Sequence, residues 1–311
     1  MNQTAFTLRP TPPFRLDLTV WALRRRDRNI IDSWDGEAYR RVISAPGSTR
    51  EDRILVHVRQ SGGINSALLH VIAETRKIDG STKATIASAL ERLLGLSIDM
   101  KPFYRFAAGY PELDELAQRF KGMKPPRFNS VFEALVNGIA CQQFSLEAGL
   151  SLINRLSQSV APKFETHGET YYQFPTPGDV AVVRSQEVRA LGFSAKKVFA
   201  LKTLARTIVA NRFDAESLPC LTNDEVRPQL LELKGIGRWT AEYVLLRGLG
   251  RLDVFPGDDV GARGNLARWL KIEGTMDYPR VEETLKRWAP YKGLLYFHLL
   301  LDGLERNGHL C

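Results

Sequence analysis

A short stretch near residue 235 limits most strongly how this 311-residue chain can fold. It reads LKGIGRWTAEYVLLRGL and begins at Leu233, so two glycines bracket one isoleucine between two helical patterns. Glycine permits the positive φ of a tight turn and leaves the backbone amides uncovered. We therefore predict a helix that ends near Leu233, a hairpin at Gly235 and Gly237, and a second helix that begins near Arg238.

The predicted start of the second helix favours an anion. Its free backbone amides and the positive end of its dipole attract negative charge, and the missing glycine side chains let a phosphate approach. Lys234 and Arg238 flank the turn, and the chain carries a formal net charge of +8. These features indicate binding of a nucleic-acid backbone without readout of base sequence.

An acidic pair follows about twenty residues later in the segment FPGDDVGARGNL. Asp258 and Asp259 directly precede another helical pattern, so one of them is a candidate N-cap. A helix N-terminus also keeps a carboxylate ionised and fixed in direction, which suits chemistry that stabilises a cation. Both interpretations stay open at this point.

The rest of the chain predicts an α+β protein. Residues 14–23 and 53–60 alternate as strands do, whereas residues 64–78 and 83–96 have helical spacing. Beyond about residue 110 helical patterns dominate, so we expect a small N-terminal mixed α/β domain at 1–108. A mostly helical region at 109–311 follows, with two subdomains flanking a cleft. For the basic cluster at residues 24–28 we favour a solvated turn over phosphate contact.

Composition excludes several classes of protein. The three cysteines, Cys141, Cys220 and Cys311, are far apart, which argues against a disulfide framework, a zinc site or an iron–sulfur cluster. We find neither a signal peptide nor a run of apolar residues that could span a bilayer. We expect a cytoplasmic protein without membrane contact, associated with the nucleoid if it is bacterial.

The stretch from Leu233 to Asp259 resembles the helix-hairpin-helix and Gly/Pro-Asp motif of the DNA glycosylase superfamily. Its bacterial 3-methyladenine DNA glycosylase II branch is the most similar, and the resemblance runs over about residues 110–305. The segments NGIACQQFSLEAG, LGFSAKKVFALKTLA and RWAPYKGLLYFHLLL add to it. It implies a monofunctional enzyme that flips alkylated purines, such as 3-methyladenine and 7-methylguanine, out of double-stranded DNA and hydrolyses their N-glycosidic bond.

The resemblance also assigns roles to residues. It makes Asp259 the catalytic carboxylate and leaves Asp258 as a cap or loop stabiliser. Trp239 occupies the position of the lysine that bifunctional relatives use, so no Schiff base is expected. His298 is expected to be structural. The implied base pocket consists of Trp239, Tyr243, Leu300 and Tyr296.

The implied DNA contacts centre on the hairpin. Gln143, with Gln142 second, would fill the gap left by the flipped base, and the backbone contacts would be Lys234, Gly235, Gly237, Arg238 and Thr240. A structural sodium or potassium ion would bind the carbonyls of Leu231, Leu233 and Gly235. No cofactor is expected for catalysis, no iron–sulfur cluster is expected, and we expect a monomer.

Two alternatives remain at this stage. The first is a non-catalytic helix-hairpin-helix DNA-binding protein, but this alternative does not explain the spacing of Asp259, Trp239 and Tyr243. The second is a bifunctional glycosylase/lyase for oxidised purines, against which the missing lysine argues.

Overall fold

The computed structural model describes residues 1–44 and 53–310, and its N-terminal part contains an antiparallel sheet. The strands are β1 (Asn2–Leu8), β2 (Ser33–Trp34), β3 (Ala38–Ser44), β4 (Arg53–Ser61) and β5 (Leu68–Thr75), and their order in the sheet is β1-β5-β4-β3-β2. β4 confirms the strand predicted at residues 53–60, and it pairs with β5 so that Val56 lies opposite Ala73.

Helices dominate the remainder, as the α+β prediction requires. A short hairpin, β6 (Lys163–Thr166) and β7 (Glu169–Tyr172), interrupts them and was not predicted. The helices are α1 (Leu16–Arg24), α2 (Thr82–Leu94), α3 (Lys101–Ala107), α4 (Pro111–Arg119), α5 (Val131–Cys141), α6 (Leu146–Val160), α7 (Pro177–Val182), α8 (Ser185–Ala190), α9 (Ala195–Val209), α10 (Asn223–Glu232), α11 (Arg238–Arg247), α12 (Val260–Trp269), α13 (Tyr278–Leu285) and α14 (Lys292–Arg306).

Two secondary-structure predictions in the N-terminal part were wrong. Residues 14–23 form mainly helix α1, not a strand, because α1 packs against both α2 and α14 and is therefore apolar nearly all round. Residues 64–78 contain strand β5, not a helix. Leu69 and Val71 are buried while His70 is exposed, so the true period is two.

A buried ionic network connects the sheet to the helices. Arg41 on β3 donates to Asp32 at 2.7 Å and to Glu133 on α5 at 2.5 Å. The hydroxyl of Tyr39 also donates to Asp32, at 2.8 Å. Because buried charges require such partners, this network fixes the position of α5, which leads to the site described below.

Packing also crosses the predicted domain boundary. One continuous hydrophobic cluster contains Val56 and Val71 of the sheet together with Leu135 of α5 and Tyr243 of α11. The boundary at residue 108 therefore stays a prediction. Among the described residues, no helix has both the length and the apolar character needed to cross a bilayer.

Candidate active site

Asp259 is the N-cap residue of α12. Its Oδ1 accepts a hydrogen bond from the backbone N–H of Ala262 at 2.9 Å. Its Oδ2 accepts one from the indole Nε1 of Trp239 at 3.2 Å. The two donors fix the direction of the carboxylate. The prediction that one of the two aspartates is the helix N-cap is thus confirmed for Asp259. The resemblance assigns the catalytic role to this same carboxylate.

Asp258 forms an ion pair with the start of α11 and does not cap α12. Its Oδ2 accepts a hydrogen bond from Nε of Arg238 at 2.7 Å, at the start of α11. The guanidinium of Arg238 in turn lies 3.8 Å from the ring centre of Tyr278. Of the two roles expected for Asp258, a cap or a loop stabiliser, the structure therefore shows the second, because this ion pair ties the loop to the hairpin.

The first turns of α11 hold the whole acidic loop. Besides Arg238 and Trp239, the buried Glu242 accepts a hydrogen bond from the backbone N–H of Gly257 at 3.1 Å. The other oxygen of Glu242 accepts from the hydroxyl of Tyr278 at 2.6 Å. Burial raises the pKa of Glu242, and these hydrogen bonds oppose that shift. Glu242 was not predicted as a site residue, because nothing in the sequence joins it to Gly257.

We expect Glu242→Gln to lower base release about tenfold while DNA affinity stays within about twofold. The new side-chain amide would place a donor against the N–H of Gly257 or the hydroxyl of Tyr278, and this would loosen the loop that carries Asp259. Single-turnover base release and equilibrium DNA binding measure the two effects. Glu283→Gln removes an exposed carboxylate on α13 and is the control, and an equal loss there would contradict the prediction.

Two aromatic residues of α11 form one continuous wall. The rings of Trp239 and Tyr243 stack with centroids 5.5 Å apart and an interplanar angle of 27°. This spacing leaves no room for a purine between them, so a base would stack on the outer face of the partly exposed Trp239. Tyr243 and Tyr296 are 3% and 7% exposed, which places them behind this face.

The other predicted pocket residues lie on α14. Tyr296 packs edge-on against Phe255 at 5.7 Å. Burial, and next to it the nearby carboxylate of Asp259, raise the pKa of Tyr296 well above its usual range. Leu300 is partly buried against the hydrophobic cluster of the C-terminal helices. The structure therefore brings Tyr296 near Asp259, whereas nothing in it links Leu300 to that carboxylate.

The basic cluster at residues 24–28 contains a site residue that sequence reasoning missed. Arg24 and Arg25 are 4% and 3% exposed, so the solvated-turn prediction was wrong for both. Nη1 of Arg25 donates to the hydroxyl oxygen of Tyr243 at 2.7 Å, and Nη2 donates to Oδ1 of Asn137 at 2.7 Å. Only tertiary packing brings Arg25 to α11, 218 residues away.

The hairpin has the predicted geometry. Gly235 has φ +83°, in the left-handed region that favours glycine, and Gly237 is the N-cap of α11 without a side-chain cap. Lys234, Gly235, Gly237 and Arg238 are all exposed. The uncapped amides at the start of α11 are therefore open to an anion, as the sequence predicted.

The turn between α5 and α6 lies against the hairpin. The side-chain nitrogen of Gln142 donates to the carbonyl of Gly235 at 2.8 Å and to the hydroxyl of Thr240 at 2.9 Å. Gln143 is exposed and has φ +56°. Gln142 thus braces the hairpin, while the entry of Gln143 into DNA stays a prediction.

Thr240 does not sit where a DNA contact requires. Thr240 is 1% exposed, and its side chain packs against Gly138 of α5. A Cβ added at Gly138 would come within 2.5 Å of the methyl group of Thr240. The prediction of a direct hydroxyl contact from Thr240 to the DNA backbone is corrected on this ground.

The predicted monovalent-cation site rests on three carbonyls. The carbonyl of Leu233 accepts from the N–H of Ile236 at 3.1 Å, and that of Gly235 accepts from Gln142. Each of these two oxygens keeps a second lone pair that could coordinate a cation, and the sodium or potassium ion at the turn stays a prediction. Leu231, the third, lies at the end of α10.

His298 lies on α14 and is fully buried. Its Nδ1 lies 2.8 Å from the carbonyl of Leu294, and its ring packs 5.0 Å from that of Phe103. Burial lowers its pKa to about 4. A neutral ring so enclosed supports the structural role expected for it.

We expect the free energy of unfolding to depend less on pH in His298→Phe than in the natural chain. Between the unfolded pKa of 6.5 and the folded value of about 4, the unfolded chain binds more protons at this residue. Stability therefore falls as pH falls through this window, by about 2 kcal/mol between pH 7 and pH 5 from this residue alone. Urea unfolding at both pH values measures the difference, and parallel curves for the two proteins would contradict it.

Comparison with known proteins agrees with this geometry. The model for the HhH-GPD superfamily of base excision DNA repair proteins matches residues 136–290. The DNA-3-methyladenine glycosylase of Bacillus subtilis is 27% identical over 226 residues, which cover 72% of this chain and 73% of that protein.

Two solved structures are also similar. The 3-methyladenine DNA glycosylase from Archaeoglobus fulgidus has a TM-score of 0.82 at 24% identity and covers 98% of this chain and 100% of its own, which shows the fold. The Schizosaccharomyces pombe 3-methyladenine DNA glycosylase in complex with abasic DNA has a TM-score of 0.53 at 26% identity, covering 68% of this chain and 95% of its own. The chain belongs to the HhH-GPD superfamily of base excision DNA repair proteins.

Proposed function

We propose that this protein is a monofunctional DNA glycosylase that hydrolyses the N-glycosidic bond of alkylated purines in double-stranded DNA. The observation that carries this proposal is the carboxylate of Asp259, held by the Ala262 amide and the Trp239 indole beside an exposed hairpin. The superfamily and the relatives named above support the reaction class. The substrates proposed are 3-methyladenine and 7-methylguanine, acted on by a monomer.

The chemistry follows from the position of the carboxylate. As the damaged base leaves, positive charge of oxocarbenium type develops on the deoxyribose. A preoriented negative group stabilises that charge without having to reorganise. Alkylated purines already carry a positive charge, so their departure needs little acid assistance. The face of Trp239 attracts a cationic ring by about 1–2 kcal/mol when the contact is desolvated.

The remaining residues would hold the DNA. The uncapped amides at Gly237 and the exposed Lys234 and Arg238 would contact phosphates on one strand. Gln143 would enter the gap left by the flipped nucleotide, supported by Gln142 against the hairpin. A sodium or potassium ion on the turn carbonyls would add positive charge beside a phosphate.

The strand-cleaving alternative is disfavoured by the residue at position 239. A bifunctional enzyme needs an amine there to form a Schiff base with the sugar, and an indole cannot supply one. The indole nitrogen of Trp239 is instead committed to Asp259. We therefore propose that the product is an intact strand with an abasic site.

The test is base release from methylated duplex DNA. The proposal expects free 3-methyladenine or 7-methylguanine, strand breaks only after alkali, and no covalent adduct with borohydride. An adduct would establish a lyase in its place. DNA binding with steep salt dependence but without base release would establish a binding protein and overturn the enzymatic proposal.

A further inference from the structure

An exposed aromatic ring stands beside the residue that is proposed to enter DNA. Phe144 follows Gln143 in the turn between α5 and α6, and it is 46% exposed. A ring left in water forgoes the free energy that its burial would release. Single exposed apolar residues are common, so exposure alone assigns no function to Phe144. The contacts that hold the ring distinguish it from such residues.

Lys197 of α9 covers one face of the ring. Its Nζ lies 3.6 Å from the ring centre of Phe144, and it also donates to the carbonyl of Ala140 at 2.7 Å. Lys197 is 7% exposed, although lysine is rarely buried. Among residues 1–44 and 53–310, no carboxylate forms an ion pair with it. A desolvated ammonium is attracted strongly by the face of an aromatic ring, so Lys197 fixes the orientation of Phe144.

The turn that carries Phe144 is itself fixed against the hairpin. On one side Gln142 donates to the carbonyl of Gly235, and on the other Ser145 caps α6 by accepting from the N–H of Ala148 at 3.2 Å. Two peptide units separate Phe144 from Gln142, so their Cα atoms are at most about 8 Å apart. The exposed part of the ring therefore lies next to the hairpin amides that are open to a phosphate.

A stacking surface is needed at this place when a nucleotide leaves the helix. The bases that border the gap then lose a stacking neighbour. The side-chain amide of Gln143 can form hydrogen bonds in the gap, but it replaces little of the lost stacking. Phenylalanine is among the apolar side chains that insert at base steps, and stacking on a ring tolerates any base. A ring that is already oriented loses little conformational freedom on binding.

We propose that Phe144, oriented by Lys197, stacks on a base that borders the gap left by the flipped nucleotide. Gln143 and Phe144 then act together, the first by hydrogen bonding in the gap and the second by stacking at its edge. Lys197 is a positioning residue, because it acts through the ring. This inference rests on the DNA glycosylase function proposed above.

The experiment compares equilibrium binding to two duplexes of the same sequence. One contains a tetrahydrofuran residue, a stable abasic-site analogue that already leaves a gap in the stack, and the other is undamaged. We expect Phe144→Ala to weaken binding to the abasic duplex about tenfold and to the undamaged duplex no more than about twofold. Phe144→Trp keeps an aromatic ring and should retain most of the preference for the abasic duplex.

Lys197→Met tests the orientation of the ring. It removes the ammonium but keeps an apolar side chain of similar length, so we expect about a threefold loss on the abasic duplex alone. If Lys197 acts through Phe144, the double variant should bind the abasic duplex no more weakly than Phe144→Ala. A further loss in the double variant would overturn the positioning role of Lys197.

Single-turnover base release adds a readout that a purely structural role would not move. Phe144→Ala should slow release of 7-methylguanine from a duplex about tenfold, and from a single strand no more than about twofold. A single strand has no paired stack to open, so the ring has less to replace there. Equal slowing on both substrates would contradict the proposed stacking.

Phe199→Ala is the matched control. Phe199 is 61% exposed on the same helix as Lys197, and a separation of two residues turns it by about 200° to the other side of α9. Its loss should change neither affinity more than about twofold. Equal weakening of both duplexes by Phe144→Ala, or no weakening, would overturn the inference. Failure of the natural chain to release any alkylated purine would instead overturn the proposed function.

Discussion

Asp259→Asn is expected to slow release of 7-methylguanine from duplex DNA about a thousandfold, with DNA affinity unchanged within about threefold. Loss of one preoriented electrostatic group in an enclosed site typically costs a factor of about 10²–10³, and here the lost group bears a full negative charge. The asparagine oxygen can still accept from the N–H of Ala262, so α12 keeps its cap. Single-turnover release and equilibrium binding separate chemistry from affinity.

Asp258→Asn is the control for that prediction. It removes an equal charge one residue away and weakens the ion pair with Arg238, but it leaves both hydrogen bonds of Asp259 in place. We expect less than a fivefold change in rate, because an exposed pair contributes little to stability. If both variants lost activity equally, the loop rather than the Asp259 carboxylate would be responsible.

Gly235→Ala is expected to abolish measurable DNA binding and to lower the free energy of unfolding by about 2–5 kcal/mol. The residue has φ +83°, and an added Cβ would come within 2.7 Å of the Cβ of Ala200 on α9. Left-handed backbone costs a non-glycine residue about 1–2 kcal/mol, and overpacking adds about 1–3 kcal/mol. The turn would move, and the amides of α11 would no longer converge on one phosphate. Urea unfolding and a DNA-binding titration measure the two effects.

Gly237→Ala separates the two causes. Gly237 has φ −106°, and among residues 1–44 and 53–310 no atom lies within 4 Å of an added Cβ. We expect a loss of less than about 1 kcal/mol in stability, from the poorer helix cap alone. DNA binding should weaken, because the new methyl group lies on the face that a phosphate approaches. A Gly237→Ala loss of stability as large as that of Gly235→Ala would contradict this account of the turn.

Local features of the site were predictable because few residues decide them. The positive φ of Gly235, the open start of α11 and the N-cap before α12 each depend on a window of about four residues. The two wrong secondary-structure predictions arose where the spacing of apolar residues in the sequence does not match the burial pattern in the structure. Helix α1 packs on two sides and so lacks a polar face, while β5 contains a run of apolar residues that also fits a helical period.

The sequence by itself determined the hairpin, the capped carboxylate of Asp259 and the family of the chain, since these lie in one continuous segment from Leu233 to Asp259. Tertiary structure alone decided which groups meet that segment. Arg25 reaches Tyr243 and Gln142 braces Gly235 across large sequence separations, and Glu242 holds Gly257 only because the loop folds back onto α11. The physical reason is that buried charges and amides must find partners, and only packing brings these partners together.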